Sequence, residues 1–281
     1  MEPQGLAFAF AAGRLLVRRS EPFELPSIDT LGAATATAGP FAAGYLAGRP
    51  CYALAMEAAP DGLEPIGLRD VLALGDDHLS AVAARASQLI EWDAAHTFCG
   101  RCGGPTELHP VERLARACTA CGALHFPRIS PAVITLVHRP GEILLARNRA
   151  QTRNFYALIA GFVEPGETLE QAVAREIREE VGLEVTDVRY MGSQAWPFPS
   201  QLMVGFTAAY RSGDIVIQES EIADARWFPL EALPESRPSG YSIAGRLIER
   251  FLSERRGSGP PVSDGASTFN EHQGGSSAAE R

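Results

Sequence analysis

Lysine is absent from this chain of 281 residues, so arginine supplies all 25 of its basic side chains. This absence excludes mechanisms that need a lysine amine, including Schiff-base catalysis and the lysine of a phosphate-binding loop. Acidic residues outnumber basic ones 34 to 25, which gives a net charge of −9. Sequence-independent binding of nucleic acid needs a basic surface, and this composition disfavours it. An anionic substrate would therefore need metal ions or a local arginine cluster.

Long apolar runs are missing as well. No stretch of about 18 apolar residues occurs, so we expect no membrane-spanning helix and no membrane partner. The N-terminus starts with acidic Glu2 and has no basic region before its short apolar patch, which argues against a secretory signal peptide. We therefore expect a cytoplasmic protein whose cysteines stay reduced.

Hydrophobic patterning divides the chain into four parts and predicts an α+β fold class. Residues 1–95 alternate short apolar runs with Gly/Pro turns, and their apolar spacing predicts a helix over Asp77–Ala95. Residues 96–126 contain four cysteines and few apolar residues. Residues 127–254 alternate strand and helix patterns, and the Gly/Ser/Pro-rich residues 255–281 predict a disordered tail. We expect a small N-terminal α/β domain, a cysteine-containing segment and a larger C-terminal domain.

The four cysteines form two Cys-x-x-Cys pairs with fifteen residues between them: Cys99 with Cys102, and Cys118 with Cys121. This spacing is typical of a zinc ribbon, in which four thiolates fill a tetrahedral site and leave no open position. The sequence therefore predicts one structural Zn²⁺ per subunit. Two disulfides or four buried thiols are the alternatives, which a reducing compartment disfavours. Cys51 lies in an apolar run and is interpreted as a core residue.

A glycine-containing loop and an acidic helix follow one another within Gly161–Leu183. Thr168 and Gln171 fit a capping box at the start of the helix, and Gly182 fits its end. Leu169, Val173 and Ile177 form an apolar stripe, which predicts that the helix packs on a sheet.

Three carboxylates of this helix share one sector of its surface: Glu176, Glu179 and Glu180. Like charges this close repel one another, and a bound divalent cation would remove the repulsion. Ligation by carboxylates alone favours Mg²⁺ or Mn²⁺ over Zn²⁺. The alternative, a solvated charged face, is disfavoured by the glycine loop in front of the helix. The pattern therefore predicts a catalytic metal site.

The same segment resembles the Nudix box, G-x5-E-x7-R-E-U-x-E-E-x-G-U. The matching positions are Gly161, Glu167, Arg175, Glu176, Ile177, Glu179, Glu180, Gly182 and Leu183. Nudix proteins hydrolyse nucleoside diphosphates linked to another moiety with several Mg²⁺ or Mn²⁺ ions, and their fold is an α/β/α sandwich. The resemblance implies that the three clustered glutamates and the main-chain carbonyl of Ala160 hold these ions. It also implies that Gly161, Glu167 and Arg175 shape the loop.

A second motif, SQAWPFPSQLM at residues 193–203, combines aromatic rings with prolines and glutamines. By itself it suits either a loop that grips a flat polar ligand or a tight packing corner. It resembles the SQPWPFPxS array of the NADH pyrophosphatase branch of the Nudix family, with Ala195 in place of proline and Gln201 in place of serine. Members of that branch cleave NAD(H) into NMN(H) and AMP, and bacterial ones remove NAD caps from RNA.

The order of a small N-terminal domain, a four-cysteine ribbon and a Nudix domain is also that of the NADH pyrophosphatase branch. The resemblance implies a homodimer whose sites use both subunits, and Glu221 as a further metal ligand. It implies a dinucleotide pocket lined by Gln194, Ala195, Trp196, Pro197, Phe198, Pro199, Ser200 and Gln201. Further implied substrate contacts are Arg69, Glu112, Phe126, Phe162 and Ala244. For Arg69 an ordinary surface arginine is the alternative, and the histidines show no ligand spacing.

Two other functions are considered beside NAD(H) hydrolysis. The first is a Nudix hydrolase of another dinucleotide, such as ADP-ribose or a diadenosine polyphosphate, which the second motif disfavours. The second is a nucleic-acid-binding zinc ribbon on an inactive Nudix scaffold. That function predicts a damaged box and a basic ribbon. Instead every box carboxylate is present, and residues 98–126 carry three arginines against two glutamates.

Overall fold

The computed structural model describes residues 5–31, 36–150 and 154–255. The tail predicted as disordered lies, apart from Arg255, outside these residues. Across the described ranges no helix is both long enough and apolar enough to cross a membrane.

The N-terminal region is a five-stranded sheet covered by helices. Its strands are β1 (Leu6–Ala11), β2 (Arg14–Val17), β3 (Ala36–Leu46), β4 (Arg49–Met56) and β5 (Glu64–Ile66). Their order in the sheet is β3-β4-β1-β2-β5, with β1 and β4 parallel and the other pairs antiparallel. Its helices are α1 (Ile28–Leu31), α2 (Leu68–Leu72) and α3 (Asp77–Ala95).

Strand β1 is central and is buried on both faces. Its residues Leu6, Phe8 and Phe10 pack in one core with α3, and the intervening alanines pack in a second core on the opposite face. Helix α3 spans the residues that the apolar spacing predicted, and the Asp76 side chain accepts a 2.9 Å hydrogen bond from the Leu79 N–H. The helix prediction is therefore confirmed.

The cysteine segment is a small three-stranded sheet of β6 (Thr106–Leu108), β7 (Arg116–Cys118) and β8 (Leu124–His125), in that order. Arg116 forms a well-buried ion pair with Asp93 of α3, and its Nε donates to the Thr106 hydroxyl. The ribbon is thereby attached to the last turn of α3.

The C-terminal region is an α/β/α sandwich, which confirms the fold expected from the resemblance. Its elements are β9 (Ser130–Arg139), β10 (Glu142–Asn148), β11 (Ile159–Phe162), α4 (Leu169–Val181), β12 (Glu184–Trp196), β13 (Gln201–Ser212), β14 (Ile222–Pro229) and α5 (Ile243–Arg255). The sheet order is β12-β13-β9-β10-β14, β11 pairs with β9, and only β9 and β13 run parallel.

The two faces of this sheet separate along β9. Val133 and Val137 pack with α4 on one face, whereas Ile134 and Leu136 pack with α5 on the other. Because helices cover both faces of the sheet, the sequences of the central strands are continuous apolar runs. The sheet thereby supports α4, the acidic helix, from below.

Residues 193–203, interpreted from sequence as a loop, are a β-hairpin with only a short turn. Trp196 at the end of β12 pairs with Gln201 at the start of β13, and Pro197–Ser200 make the turn. The Phe198 N–H donates a 2.8 Å hydrogen bond to the Trp196 carbonyl. Backbone pairing therefore fixes most of the motif, and its prolines lie within the turn.

Candidate active site and zinc ribbon

Helix α4 begins and ends where the sequence predicted. The Gln171 N–H donates to the Thr168 hydroxyl at 3.2 Å, and the Thr168 N–H donates to the Gln171 side-chain oxygen at 2.8 Å. Gly182 ends the helix in the left-handed conformation, with φ of 73°. The box residues Ile177 and Leu183 are buried in the core between α4 and the sheet. These contacts fix the direction in which the glutamates point.

Gly161 is adjacent to the carboxylate of Glu176. A Cβ atom at this position would lie only 1.9–2.2 Å from the atoms of that carboxylate. Any other residue at 161 would displace Glu176. The glycine therefore allows this carboxylate to lie directly against β11.

Arg175 connects the loop before α4 to the acidic cluster. Its Nε donates to Glu167 at 2.6 Å and its Nη2 to the Phe162 carbonyl at 2.8 Å. This ion pair lowers the pKa of Glu167 to about 2. The Nη1 atom donates to Glu176 at 2.8 Å and to Glu179 at 3.1 Å. Arg175 thus braces the loop and partly neutralises two of the clustered carboxylates.

Glu180 is the most buried acid of the site, with 6% of its surface exposed. Burial, followed in order of effect by the charges of Glu176, Glu221 and Glu179, raises its pKa to about 8. Burial also raises the pKa of Glu176, an effect that Arg175 offsets and that the charges of Glu179 and Glu221 enhance. Four carboxylates therefore share one electrostatic environment.

Glu221 comes from a different segment, which hydrogen bonds hold beside the end of α4. The Gln218 N–H donates to the Glu180 carbonyl at 2.9 Å, and the Val216 N–H donates to the Val181 carbonyl at 3.0 Å. The Glu221 N–H then donates to the Gln218 carbonyl at 3.0 Å. This turn places Glu221 next to the helix glutamates, although 41 positions separate it from Glu180.

The carboxylate set fits a hard divalent cation by its chemistry. Three acids surround the buried Glu180, all four offer only oxygen donors, and their mutual repulsion is the kind that a bound cation removes. Their oxygen atoms do not converge as tightly as the thiols do. Among the residues the structure describes, only the cysteines place three or more ligand atoms within 4.8 Å of one another.

The four ribbon cysteines fit a tetrahedral zinc ion. A Zn–S bond of about 2.3 Å requires sulfur atoms about 3.8 Å apart. Two of the observed Sγ–Sγ distances are 3.8 Å, between Cys99 and Cys121, and 3.5 Å, between Cys102 and Cys118. The N–H groups of Arg101 and Cys121 point at Cys99 and Cys118, both at 3.4 Å. The structural zinc site is confirmed, and none of its cysteines forms a disulfide.

His125 is a residue that the sequence reasoning missed. Its Nε2 lies 3.3 Å from Cys99 Sγ, and its carbonyl accepts a 3.2 Å hydrogen bond from the Trp92 indole of α3. A protonated Nε2 would donate to the thiolate and orient this zinc ligand. No ligand spacing marks this histidine in the sequence, because it contacts a ligand and not the metal.

The residues proposed for the dinucleotide pocket occupy different environments. Gln194 donates from Nε2 to the Tyr241 carbonyl at 2.9 Å and accepts from the Ile243 N–H at 2.7 Å, so both ends of its amide hold the start of α5. Ala244, in the first turn of α5, is 7% exposed and packs in the core between that helix and the sheet. Phe162 and Phe126 are about half exposed, and Glu112 is exposed. Their substrate contacts stay predictions.

A cavity of about 320 Å³ adjoins the hairpin turn. Its lining includes Gln88 and Trp92 of α3, Arg128, and Pro199 and Ser200 of the turn. None of the four carboxylates contributes to it. The carboxylate cluster beside α4 is therefore separate from this cavity.

Three family models match the chain in sequence order. The "NADH pyrophosphatase-like rudimentary NUDIX domain" matches residues 4–92, the "NADH pyrophosphatase zinc ribbon domain" residues 94–126 and the "NUDIX domain" residues 128–251. The boundaries drawn from the sequence at residues 95, 126 and 254 stay predictions.

Curated relatives are similar to this chain over most of their length. The NAD-capped RNA hydrolase NudC of Deinococcus radiodurans is 41% identical over 262 residues, which is 92% of this chain and 91% of that protein. The protein of the same name from Stutzerimonas stutzeri is 44% identical over 224 residues, or 79% of this chain and 80% of the relative.

A crystal structure of a Nudix hydrolase from Nitrosomonas europaea is similar in fold, with a TM-score of 0.51 and 26% identity. The similarity covers 58% of this chain and 94% of that one. With the acidic helix, the zinc ribbon and these relatives taken together, the chain belongs to the Nudix hydrolase family, in the branch that carries the NADH pyrophosphatase-like and zinc ribbon domains.

Proposed function

We propose that this protein hydrolyses the pyrophosphate bond of NAD(H), giving NMN(H) and AMP, and removes NAD caps from RNA. The observation that carries the proposal is buried Glu180 within a cluster of four carboxylates, in a chain that keeps all three domains of the branch. Relatives named NAD-capped RNA hydrolase support the choice of substrate.

The residues that would hold Mg²⁺ or Mn²⁺ ions are Glu176, Glu179, Glu180 and Glu221, with the main-chain carbonyl of Ala160. When bound, such ions neutralise pyrophosphate oxygens and make a bound water more acidic. The chain itself positions these donors. Gly161 leaves the space that the Glu176 carboxylate needs, and Arg175 with Glu167 fixes the loop that leads into α4.

The substrate side of the site is proposed from the exposed rings and the hairpin. Phe162 follows Gly161 and is 52% exposed, so its ring is available to stack on a base or nicotinamide. Trp196 lies at the end of β12 beside Phe198, with ring centroids 5.1 Å apart. Glu112 and Phe126 of the ribbon and Ala244 of α5 complete the proposed set of substrate contacts.

A comparison of substrates tests this proposal. With Mn²⁺ present, we expect kcat/KM for NADH to exceed that for ADP-ribose and for diadenosine polyphosphates by at least about tenfold, because the hairpin would contact the nicotinamide half. The measurement is initial-rate kinetics with each compound under the same conditions. A kcat/KM that is higher for ADP-ribose would assign the protein to a different substrate.

We also propose that the protein is a homodimer. Six large apolar side chains are exposed in and just after the ribbon: Phe98, Leu108, Val111, Leu124, Phe126 and Ile129. Exposed apolar surface of this kind is typical of an interaction site. Light scattering is expected to give twice the 30.1 kDa mass of one chain. A mass equal to that of one chain at micromolar concentration would contradict the dimer.

A further inference from the structure

The hairpin at residues 193–203 contacts the N-terminal domain as well as its own. The Phe198 ring at its turn packs against the N-terminal core, whose buried members include Leu68 and Val71 of α2. Leu114 of the ribbon packs against the same core. A side chain of the Nudix domain thus completes the hydrophobic core of another domain.

Arg69 of α2 covers the same turn from outside. Its guanidinium carbon lies 4.0 Å from the centroid of the Phe198 ring and 5.3 Å from that of the Trp196 ring. The two rings pack edge to face at 67°. Leu68 and Val71 of α2 are buried, so the helix that carries Arg69 is packed on the N-terminal core. Cation–π attraction therefore adds to the packing that holds both rings of the motif against the N-terminal domain.

The base of the hairpin is fixed within the Nudix domain. Both ends of the Gln194 amide bind the start of α5, through the Tyr241 carbonyl and the Ile243 N–H. Further along α5, Arg246 forms an ion pair with Asp77, the first residue of α3. The hairpin is thus held by its own domain at one end and by the N-terminal domain at the other.

We propose that this hairpin is the joint through which the N-terminal domain positions the substrate side of the active site. Phe198 and Arg69, which the resemblance implied as substrate contacts, are positioning residues in this arrangement, and Trp196 is the ring whose placement they determine. The N-terminal domain supplies none of the four carboxylates, so its contribution is to binding geometry and not to bond cleavage. The inference deepens the proposed function, on which its kinetic readout rests.

If the hairpin is such a joint, its loss should change both the unfolding of the two domains and KM for NADH. Without the Phe198 ring the N-terminal core loses a packed side chain, so the two domains should no longer unfold together. Because Trp196 then loses its fixed position while the carboxylates keep theirs, KM for NADH should rise and kcat should change little. A ring that only filled space would affect stability without changing KM.

The variants are Phe198→Ala, the conservative Phe198→Leu, and Arg69→Met. The last removes the positive charge but keeps an unbranched apolar side chain. Arg85→Met, an exposed arginine of α3, is the matched control. Calorimetry of the full-length, zinc- and metal-loaded protein without substrate should show one joint transition for wild type and for the control. Phe198→Ala should show an earlier, separate transition, and Arg69→Met should lower the temperature of the joint one.

The kinetic measurement uses NADH and Mn²⁺. We expect KM to rise about tenfold in Phe198→Ala and less in Arg69→Met, with kcat within about threefold of wild type and most of the loss recovered in Phe198→Leu. Two separate transitions in wild type, or unchanged unfolding and KM in both Phe198→Ala and Arg69→Met, would overturn the inference. If wild type does not cleave NADH, the proposed function fails and calorimetry still decides whether the joint exists. If Phe198→Ala does not fold, Arg69→Met provides the same two tests against the Arg85→Met control.

Discussion

Glu180→Gln is expected to lower kcat for NADH at least about 100-fold, while NADH still binds through the aromatic residues. Glu180 is the most buried member of the four-carboxylate cluster, and its burial together with the charges of the other three raises its pKa. Glutamine keeps the size of the side chain but removes the negative charge that a divalent cation needs. Stopped assays with NADH and Mn²⁺, together with equilibrium binding of NADH, measure the two effects.

Glu170→Gln is the matched control for this substitution. Glu170 lies in the first turn of the same helix, is exposed, and has no place in the cluster. The control removes the same charge and should keep kcat within about twofold of wild type, since a surface charge contributes little. If Glu180→Gln retained wild-type turnover, the assignment of the metal ligands would be wrong.

The metal-free protein gives a readout of Glu180 that is independent of activity. The pKa of about 8 in the folded state lies above the ordinary value of 4.5, so the proton bound by Glu180 stabilises the fold fully below pH 4.5. That stabilisation is lost as pH rises towards 8. Metal-free wild type should therefore melt at a lower temperature at pH 8 than at pH 5. The fall in melting temperature between these pH values should be smaller in Glu180→Gln. Equal losses in both proteins would contradict the burial of this charge.

Removal of zinc is expected to have a large effect on folding stability, because the ribbon has few buried apolar residues to hold it together. Cys99→Ser removes one of four ligands and should abolish stoichiometric zinc binding, unfold the three-stranded sheet and cost several kcal/mol. His125→Gln should retain zinc but weaken its binding by about 10- to 100-fold, since it changes a contact to Cys99 and not a ligand. The zinc content per chain measures the loss in Cys99→Ser, and competition with a chelator measures the weaker binding in His125→Gln.

Cys51→Ala is the control for Cys99→Ser, since Cys51 is buried in the N-terminal core and lies outside the zinc cluster. It should keep one zinc per chain and lose only about 1 kcal/mol of stability. A Cys99→Ser protein that stayed fully folded without zinc would contradict the structural role of the ion.

Local patterns were sufficient for much of this fold. The bounds of α3 follow from apolar spacing, and those of α4 follow from a capping box and a glycine, since each signal lies within a few residues of its partner. The cysteine spacing predicted the zinc site for the same reason. The ion pair of Arg175 with Glu167, eight positions away across the first two turns of α4, was expected from the resemblance and not from a local pattern.

Contacts between distant segments could not be derived in this way. Glu221 was expected only from resemblance, and its place depends on backbone hydrogen bonds from residues 216 and 218 to α4. The sequence showed the aromatic residues of the hairpin but not that Phe198 would reach the core of another domain. Gln194 was interpreted as a pocket residue, but both the nitrogen and the oxygen of its amide form hydrogen bonds to the backbone at the start of α5. Such roles depend on the assembled fold.

Product analysis with NADH and Mn²⁺ tests the central claim most directly. The full-length, zinc-loaded protein should convert NADH into equimolar NMNH and AMP, and this conversion should disappear in Glu180→Gln and persist in Glu170→Gln. An uncut dinucleotide after prolonged incubation with folded, metal-loaded wild-type protein, or products from cleavage at any other bond, would contradict it.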